Sequence, residues 1–326
     1  MSAPRLSVII PTRNCLEWLP RAMASALAVP VEGIEVIIVD DGSTDGTANF
    51  LAHAAASGLP IRVLRRTGGE GAAAARNAGL AIARAPVVGF LDADDIWQPD
   101  RIAERLAWHE AHPETALSFG EYETLYADNR REPRLIGYMP RFAAAVTPLD
   151  EPWRDEIGWL GPAGAGLIYG ENPVCTSVVL ASRAAVEAVG GFDVSLGQAE
   201  DWDLWIRLAL HGPVAYAPRS QGLHMHRADS LSSEVRARCL AVATVLDRYG
   251  PAIRARDAGA FRCGRAFVAE ARAEMAEAEG RRLAHLAWQA KALLWQPSRR
   301  RARSAARALL RGLRPRMPAP LMARAA

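Results

Sequence analysis

Lysine is all but missing: Lys291 is the only one in 326 residues, so arginine supplies nearly all of the 39 positive charges. A phosphoacceptor receiver domain sets several aspartates against a basic partner, normally lysine. With Lys291 far off in the tail, that class is disfavoured. The four cysteines (Cys15, Cys175, Cys239 and Cys263) form no CxxC pair and have no metal-ligand spacing. A disulfide framework is therefore excluded, and a reduced, cytoplasmic protein is the expectation. The uncharged run Ile157 to Gly170 is too short, and too rich in glycine and proline, to span a bilayer. Arg5 precedes only a brief apolar run that closes at Pro11 and Arg13, so no secretory leader is expected. A dinucleotide oxidoreductase needs GxGxxG after its first strand. Here that position holds Pro11-Thr-Arg-Asn14, and Gly68-Gly69-Glu70-Gly71 does not complete the pattern.

What is present is a globular composition, half apolar and 23% charged, with ample material for a core. The net charge of +3 conceals an asymmetry. Twelve basic residues and no acid lie from Arg281 onward, so residues 1–280 hold 27 basic against 36 acidic groups, a net of −9. An acidic body argues against nucleic acid as partner. The basic tail suits an anionic lipid or an anionic acceptor.

The first ~115 residues alternate between strand and helix periods. Leu6 to Ile10, Ile34 to Val39, Ile61 to Leu64 and Pro86 to Leu91 read as strands. Asn14 to Leu27, a segment from Ser43 or Thr44 to about Ser57, and an Ala-rich stretch to about Ala83 read as helices. This alternation predicts a mostly parallel sheet with helices on both faces. Residues 128–172 have no clean period and hold Pro133, Pro140, Pro148, Pro152 and Pro162 among Tyr138, Phe142, Trp153, Trp159 and Tyr169. An excursion of that length is usually functional, and acceptor selection is the expectation. Glu200 to Leu210 reads as a helix. From about Ser233 the chain is helical, with breaks expected at Pro251, Gly280 and Pro297.

Two of the strands end in acids, at the edge where open parallel sheets gather their ligands. Asp40-Asp41 follows the second strand. One carboxylate there can accept hydrogen bonds from a base N–H or a ribose hydroxyl, or the pair can simply cap a helix. Asp92-Ala-Asp94-Asp95 puts three carboxylates in four residues, a density that suits a hard divalent cation. Arg76 has a fork that fits a phosphate or an aspartate. Glu200-Asp201 precedes Trp202 and Trp205, and either acid could serve as a general base or as an ordinary helix-end charge. His226 lies in a His-Met-His-Arg run whose role the residues alone leave open.

In order and spacing, several segments resemble the family-2 glycosyltransferases of GT-A fold. They are Ser7-Val-Ile-Ile-Pro11-Thr-Arg-Asn14, Val39-Asp-Asp-Gly-Ser-Thr-Asp-Gly46, Ala75-Arg-Asn-Ala-Gly79, Phe90-Leu-Asp-Ala-Asp-Asp95 with Trp97, Gly190-Gly-Phe-Asp193 and Ala199-Glu-Asp-Trp-Asp-Leu-Trp-Ile-Arg-Leu208. The resemblance implies a Rossmann-like α/β catalytic domain over residues 1–232, followed by an Arg-rich helical extension over 233–326. It implies an inverting transfer from a nucleotide-sugar donor to a carbohydrate or lipid-linked acceptor, aided by Mn²⁺ or Mg²⁺. Pro11, Thr12, Asn14, Asp40 and Asp41 would line the nucleotide pocket, with Arg76 and Asp92 beside the nucleotide. Asp94, Asp95 and His226 would attend the metal, with His224 competing for the histidine's place. Asp201 would be the base, supported by Glu200. A non-catalytic nucleotide-sugar binder and a nucleotidyltransferase remain as alternatives. For the tail two readings stand: packing on the catalytic domain, or an interfacial helix carried on Leu283, Leu286, Ala287, Ala290, Leu293 and Leu294 at the inner membrane face.

Overall fold

The computed structural model describes residues 3–133, 139–146, 156–226 and 234–313. Tyr138, Pro148, Pro152 and Trp153, the expected boundary near residue 232, and the tail beyond 313 lie outside the described residues. The elements run β1 (Leu6–Thr12), α1 (Leu19–Leu27), β2 (Ile34–Asp40), α2 (Thr47–Ala56), β3 (Ile61–Arg65), α3 (Ala72–Ile82), β4 (Val87–Phe90), β5 (Ile96–Trp97) and α4 (Pro99–Ala111). They continue with β6 (Leu117–Leu125), β7 (Arg131–Pro133), α5 (Pro140–Val146), β8 (Gly158–Trp159), α6 (Gly164–Glu171), β9 (Val179–Ser182), α7 (Arg183–Ala188), α8 (Glu200–His211) and β10 (Val214–Met225). Four helices close the chain: α9 (Val235–Arg256), α10 (Ala258–Ala278), α11 (Arg282–Trp295) and α12 (Arg299–Leu313).

One sheet orders its strands β3-β2-β1-β4-β9-β6-β10-β5, with β7 on β6 and β8 on β10. The β3-β2-β1-β4 half is parallel, and β9 runs antiparallel to both β4 and β6. Period-2 alternation sends Leu6, Val8 and Ile10 to one face, against Leu19 and Met23 of α1, and Ile9 to the other, with Ala73 and Ala75 of α3. The register pairs Thr12 with Asp40, so the loops after β1 and β2 open side by side.

Several expected boundaries shift. The first helix begins at Leu19, not Asn14, because Asn14 is left-handed (φ 53°) and its side chain accepts from the Thr44 N–H at 2.8 Å. Ser43 and Thr44 do not cap α2. Ser43 Oγ accepts instead from the Asn14 N–H, and Asp45 takes the Thr47 N–H and hydroxyl at 3.0 and 2.6 Å. Gly280 and Pro297 fall between helices as expected, but Pro251 lies inside α9. Packing of α9 on α10 and α6 carries the helix through, and the Tyr169 hydroxyl donates to the Leu246 carbonyl, next to the one that Pro251 leaves without an amide partner.

The tail's apolar face also divides. Ala292 is buried and Leu286 and Leu293 are half-buried, whereas Leu283 and Leu294 are exposed. Besides the packing on α6, a buried acid ties the extension to the sheet domain. Asp203 of α8 has no exposed surface and accepts from Arg248 (2.7 Å) and Tyr249 (2.8 Å) of α9, as well as from Arg207 (2.8 Å). Arg248 also donates to Asp193 at 2.9 Å. Arg248→Ala leaves Asp203 short of one charged partner. It is expected to cost about 1–3 kcal/mol, read as a lower urea midpoint at unchanged slope. An unmoved midpoint would mean that the latch contributes nothing.

A second buried group makes stability depend on pH. His109 of α4 sits beside Arg105 under β6, its Nε2 at 2.9 Å from Ser118 Oγ. Burial, reinforced by the Arg105 charge, pushes its pKa down from 6.5 to about 3. The neutral ring is the native form, so its stability is fully present above pH 6.5 and is lost as pH falls toward 3. His109→Gln is expected to flatten the unfolding free energy across that window. A slope equal to that of the parent would refute the assignment.

Candidate active site

The crevice is built at the carboxyl ends of β1, β2 and β4, where strands run out and leave polar backbone and side chains facing one opening. On the β1–β2 side, Asp40 and Asp41 are both buried. Asp40 Oδ1 accepts the Ser43 N–H at 2.9 Å, and Asp41 Oδ2 accepts the Gly71 N–H at 2.9 Å. Gly71 can offer that bond because it holds φ +94°, a left-handed backbone that side chains resist. The remaining oxygens, Asp40 Oδ2 and Asp41 Oδ1, have no hydrogen-bond donor, and neither does the buried Thr12 Oγ1. Arg65 and Arg66 stand over the two carboxylates at 3.7 and 3.9 Å, close enough for charge and too far for a hydrogen bond. Buried acceptors without donors are rare, and three of them at adjacent strand ends mark a place where a ligand can supply the missing bonds. Pro11 is half-buried on the same rim and Asn14 is exposed there.

On the β4 side the acidic turn 92–95 follows the strand directly. Arg76 of α3 is buried and donates from Nη2 to Asp92 (2.7 Å) and from Nη1 to Glu200 (2.8 Å). Burial alone would lower its pKa, but Asp92 and Glu200 outweigh that and hold it above the usual arginine value. The bridge joins the turn after β4 to the first residue of α8, 108 positions later in the chain. Burial, aided by the neighbouring Asp201 charge, raises the Glu200 carboxyl above the ordinary range, and Arg76 opposes the shift.

A second bridge uses Thr176 and Ser177, consecutive residues in a 3-10 turn before β9. Thr176 Oγ1 donates to Asp201 Oδ2 at 2.8 Å. Ser177 Oγ donates to Asp95 Oδ2 and accepts the Asp92 N–H at 3.1 Å. Two adjacent hydroxyls thus link the same two acidic segments that Arg76 links. Neither is visible in the sequence, because a Thr-Ser pair leading into an apolar strand carries no local signal of a partner 25 or 82 residues distant.

The structure separates Asp94 from Asp95. Asp95 is buried, and its other oxygen accepts the Met225 N–H at 2.8 Å, so both oxygens are engaged within the protein. Burial, with Asp92 and Asp94 nearby, pushes its pKa well above the carboxylate range. Asp94 is half-buried. Because Met225 is tied to Asp95, the end of β10 is drawn to the acidic turn, and the exposed His226 follows it there. His226 stacks on Tyr126 at 4.9 Å between centroids, while the His224 ring faces Tyr122 at 5.8 Å. Among the described residues, no three His, Cys, Asp or Glu side chains converge as a preformed metal cage. Asp94 still fits a divalent cation of the kind that takes one or two carboxylates and completes its shell with substrate phosphates and water.

Gly190-Gly-Phe-Asp193 buttresses the crevice from behind. Gly191 (φ +69°) brings the backbone against Asn77, which exchanges two hydrogen bonds with Phe192 at 2.8 and 2.9 Å. A β-carbon at Gly191 would lie 2.8 Å from the Asn77 side-chain oxygen, and the positive φ adds strain for any other residue, so this close approach favours glycine. The Phe192 ring in turn lies 5.4 Å from the Arg76 guanidinium and fixes its position.

This sheet, with its acidic crevice at the strand ends, is that of a GT-A fold. Residues 7–154 match the model of glycosyl transferase family 2, and the chain carries a domain of that family. It is similar to the succinoglycan biosynthesis protein ExoU of Rhizobium meliloti, at 32% identity over 63% of this chain and 57% of that protein. It is also similar to the chondroitin synthase of Escherichia coli, at 27% identity over 65% of this chain and 28% of that one. The aligned region thus spans little more than half of the first relative and under a third of the second. Among solved structures, residues 1–349 of Staphylococcus aureus TarS with UDP-GlcNAc superpose at a TM-score of 0.59, covering 94% of this chain and 92% of that one at 16% identity. The mannosyltransferase PcManGT of Pyrobaculum calidifontis, with GDP-Man and Mn²⁺, superposes equally well at 0.59, covering 95% and 86% at 20% identity.

Proposed function

We propose that the chain is an inverting glycosyltransferase, moving a sugar from a nucleotide-diphosphate sugar to an acceptor hydroxyl in cell-surface polysaccharide or glycolipid synthesis. The observation that carries the reading is the double bridge, through Arg76 and through Thr176-Ser177, which holds the acids after β4 and the acids opening α8 at one crevice. A donor and an acceptor must meet at such a place. The relatives support the pathway class: succinoglycan and chondroitin are polysaccharides by the names of the proteins concerned. The structural neighbours were captured with UDP-GlcNAc and GDP-Man, which supports a nucleotide-sugar donor.

In this reading the nucleotide lies over Pro11, Thr12, Asn14, Asp40 and Asp41. Its base N–H and ribose hydroxyls supply donors to the oxygens that now lack them. Arg76 stays locked between Asp92 and Glu200 and shapes the floor under the diphosphate. Asp94 would hold a divalent cation on the diphosphate, with His226 beside it; such an ion neutralises charge that grows on the leaving group. Asp95 positions that turn without ligating. Asp201, oriented by Thr176, accepts the proton from the acceptor hydroxyl as its oxygen bonds to the anomeric carbon. The nucleoside diphosphate departs from the opposite face, so the anomeric configuration inverts. The catalytic unit spans residues 1–232 and the helical extension 233–326. Among the described residues no helix is long and apolar enough to cross a membrane. We place the enzyme on the cytoplasmic side, meeting a carbohydrate or lipid-linked acceptor at the inner face.

Thermal-shift measurements with a panel of nucleotide sugars and Mn²⁺, followed by assay of nucleoside diphosphate release from those that stabilise, test the reading. Stabilisation with release supports transfer. Stabilisation without release, with any acceptor or with water, makes the chain a binder, and no stabilisation removes the nucleotide site.

A further inference from the structure

Helices α11 and α12 carry a surface that neither the core nor the crevice uses. α11 packs on α10 through Ala292 and its half-buried neighbours. On its other side Leu283 and Leu294 are 85% and 82% exposed, with Ala287 and Ala290 exposed between them. The spacing of those four, i, i+4, i+7 and i+11, makes one apolar stripe about 16 Å long. α12 adds Leu309 and Leu310, 49% and 62% exposed, beside exposed Ala302 and Ala306. The five of its arginines whose side chains are described fall into two sets. Arg300 and Arg301 both pair with Glu270 of α10 and so fasten the helix to the protein. Arg299, Arg303 and Arg307 are exposed and have no ion pair among the described residues. No acid occurs after Glu279 to neutralise them.

Leucines left this bare beside unpaired arginines fit only some partners. A second copy of the chain would bring the same arginines to a symmetric contact, where like charges oppose each other. A purely acidic macromolecule would satisfy the arginines and leave the leucines wet. An anionic bilayer answers both, with phosphates for the guanidinium groups and an apolar boundary just beneath.

We propose that α11 and α12 form a peripheral docking surface for an anionic lipid bilayer, in which Leu283, Leu294, Leu309 and Leu310 enter the headgroup boundary and Arg299, Arg303 and Arg307 meet lipid phosphates. This deepens the reading that the enzyme works at a membrane face, and its test needs neither donor nor turnover, so the two can fail separately. The full chain is sedimented with vesicles of phosphatidylcholine alone and of phosphatidylcholine mixed with phosphatidylglycerol. Binding to the mixed vesicles at low salt, and its loss at high salt, is expected. The triple variant Arg299→Gln, Arg303→Gln, Arg307→Gln is expected to weaken partitioning on the order of 10²-fold, at about fivefold per arginine. Leu283→Ser with Leu294→Ser is expected to weaken it at least about tenfold. All these positions are exposed, so unchanged circular dichroism and an unchanged urea midpoint confirm folding. No binding of the parent chain at low salt overturns the proposal, as does equal binding by the triple variant. A dimer in the ultracentrifuge that Leu283→Ser dissolves also overturns it, by assigning the face to a second copy.

Discussion

Asp201→Asn is expected to lower turnover by a factor of roughly 10² to 10⁴ while donor binding stays as it was. The amide matches the carboxylate in shape: its oxygen can keep the Trp202 N–H while its NH2 donates to the Thr176 hydroxyl, which can turn to accept, so the turn before β9 keeps its place. On the proposed mechanism, what it loses is the basic lone pair that would receive the acceptor proton. Asp201 also takes the Trp202 N–H at 2.7 Å, so its carboxylate is fixed by a backbone donor and a side-chain donor at once. Glu200 is adjacent but less available to an acceptor, because Arg76 holds its Oε1 at 2.8 Å. Steady-state release of nucleoside diphosphate, with nucleotide affinity measured by calorimetry, separates the two effects. Turnover equal to that of the parent chain removes Asp201 as the base. Weakened nucleotide binding at unchanged turnover would place the residue in the donor pocket.

The parts of the fold legible in the sequence are those whose signal is local. The buried strands β1, β2 and β4 declare themselves as short apolar runs, and the acids that follow β2 and β4 lie where those runs stop. The interleaving of β9 between β4 and β6, antiparallel to both, is not local: four residues of apolar sequence do not reveal their neighbours. Asn14 shows the same limit at smaller scale. Its position fits a helical period, yet its side chain caps the loop thirty residues on, and that tertiary bond decides the backbone.

In the crevice, residue identity was readable and orientation was not. Asp94 and Asp95 look equivalent as letters, but one remains partly open while the other is enclosed by Ser177 and Met225. The pairings Asp203–Arg248, Thr176–Asp201 and Ser177–Asp95 join residues 45, 25 and 82 positions apart. Each involves a residue type common on any surface, so nothing short of the fold singles it out. The tail repeats the lesson. Six apolar residues on one helix suggest a single face, whereas packing on α10 covers Leu286 and Leu293 and leaves Leu283 and Leu294 outside.

The divided pair makes a sharp contrast possible at the metal. Asp94→Ala is expected to abolish Mn²⁺- or Mg²⁺-dependent nucleotide binding with a smaller change in melting temperature than Asp95→Ala, since Asp94 is only half-buried. Asp95→Ala is expected to do the reverse in kind. It strands the Ser177 hydroxyl and the buried Met225 N–H, and losing a buried partner costs about 1–3 kcal/mol for each group left unsatisfied. Its damage to nucleotide binding then comes second, through a turn no longer held to β10. Calorimetric titration of a nucleoside diphosphate, with and without Mn²⁺ and beside melting curves for both variants, distinguishes the cases. Binding of equal strength with and without metal in the parent chain sinks the metal role. A large drop in melting temperature for Asp94→Ala and none for Asp95→Ala would reverse the assignment, making the buried residue the ligand and the open one the clamp.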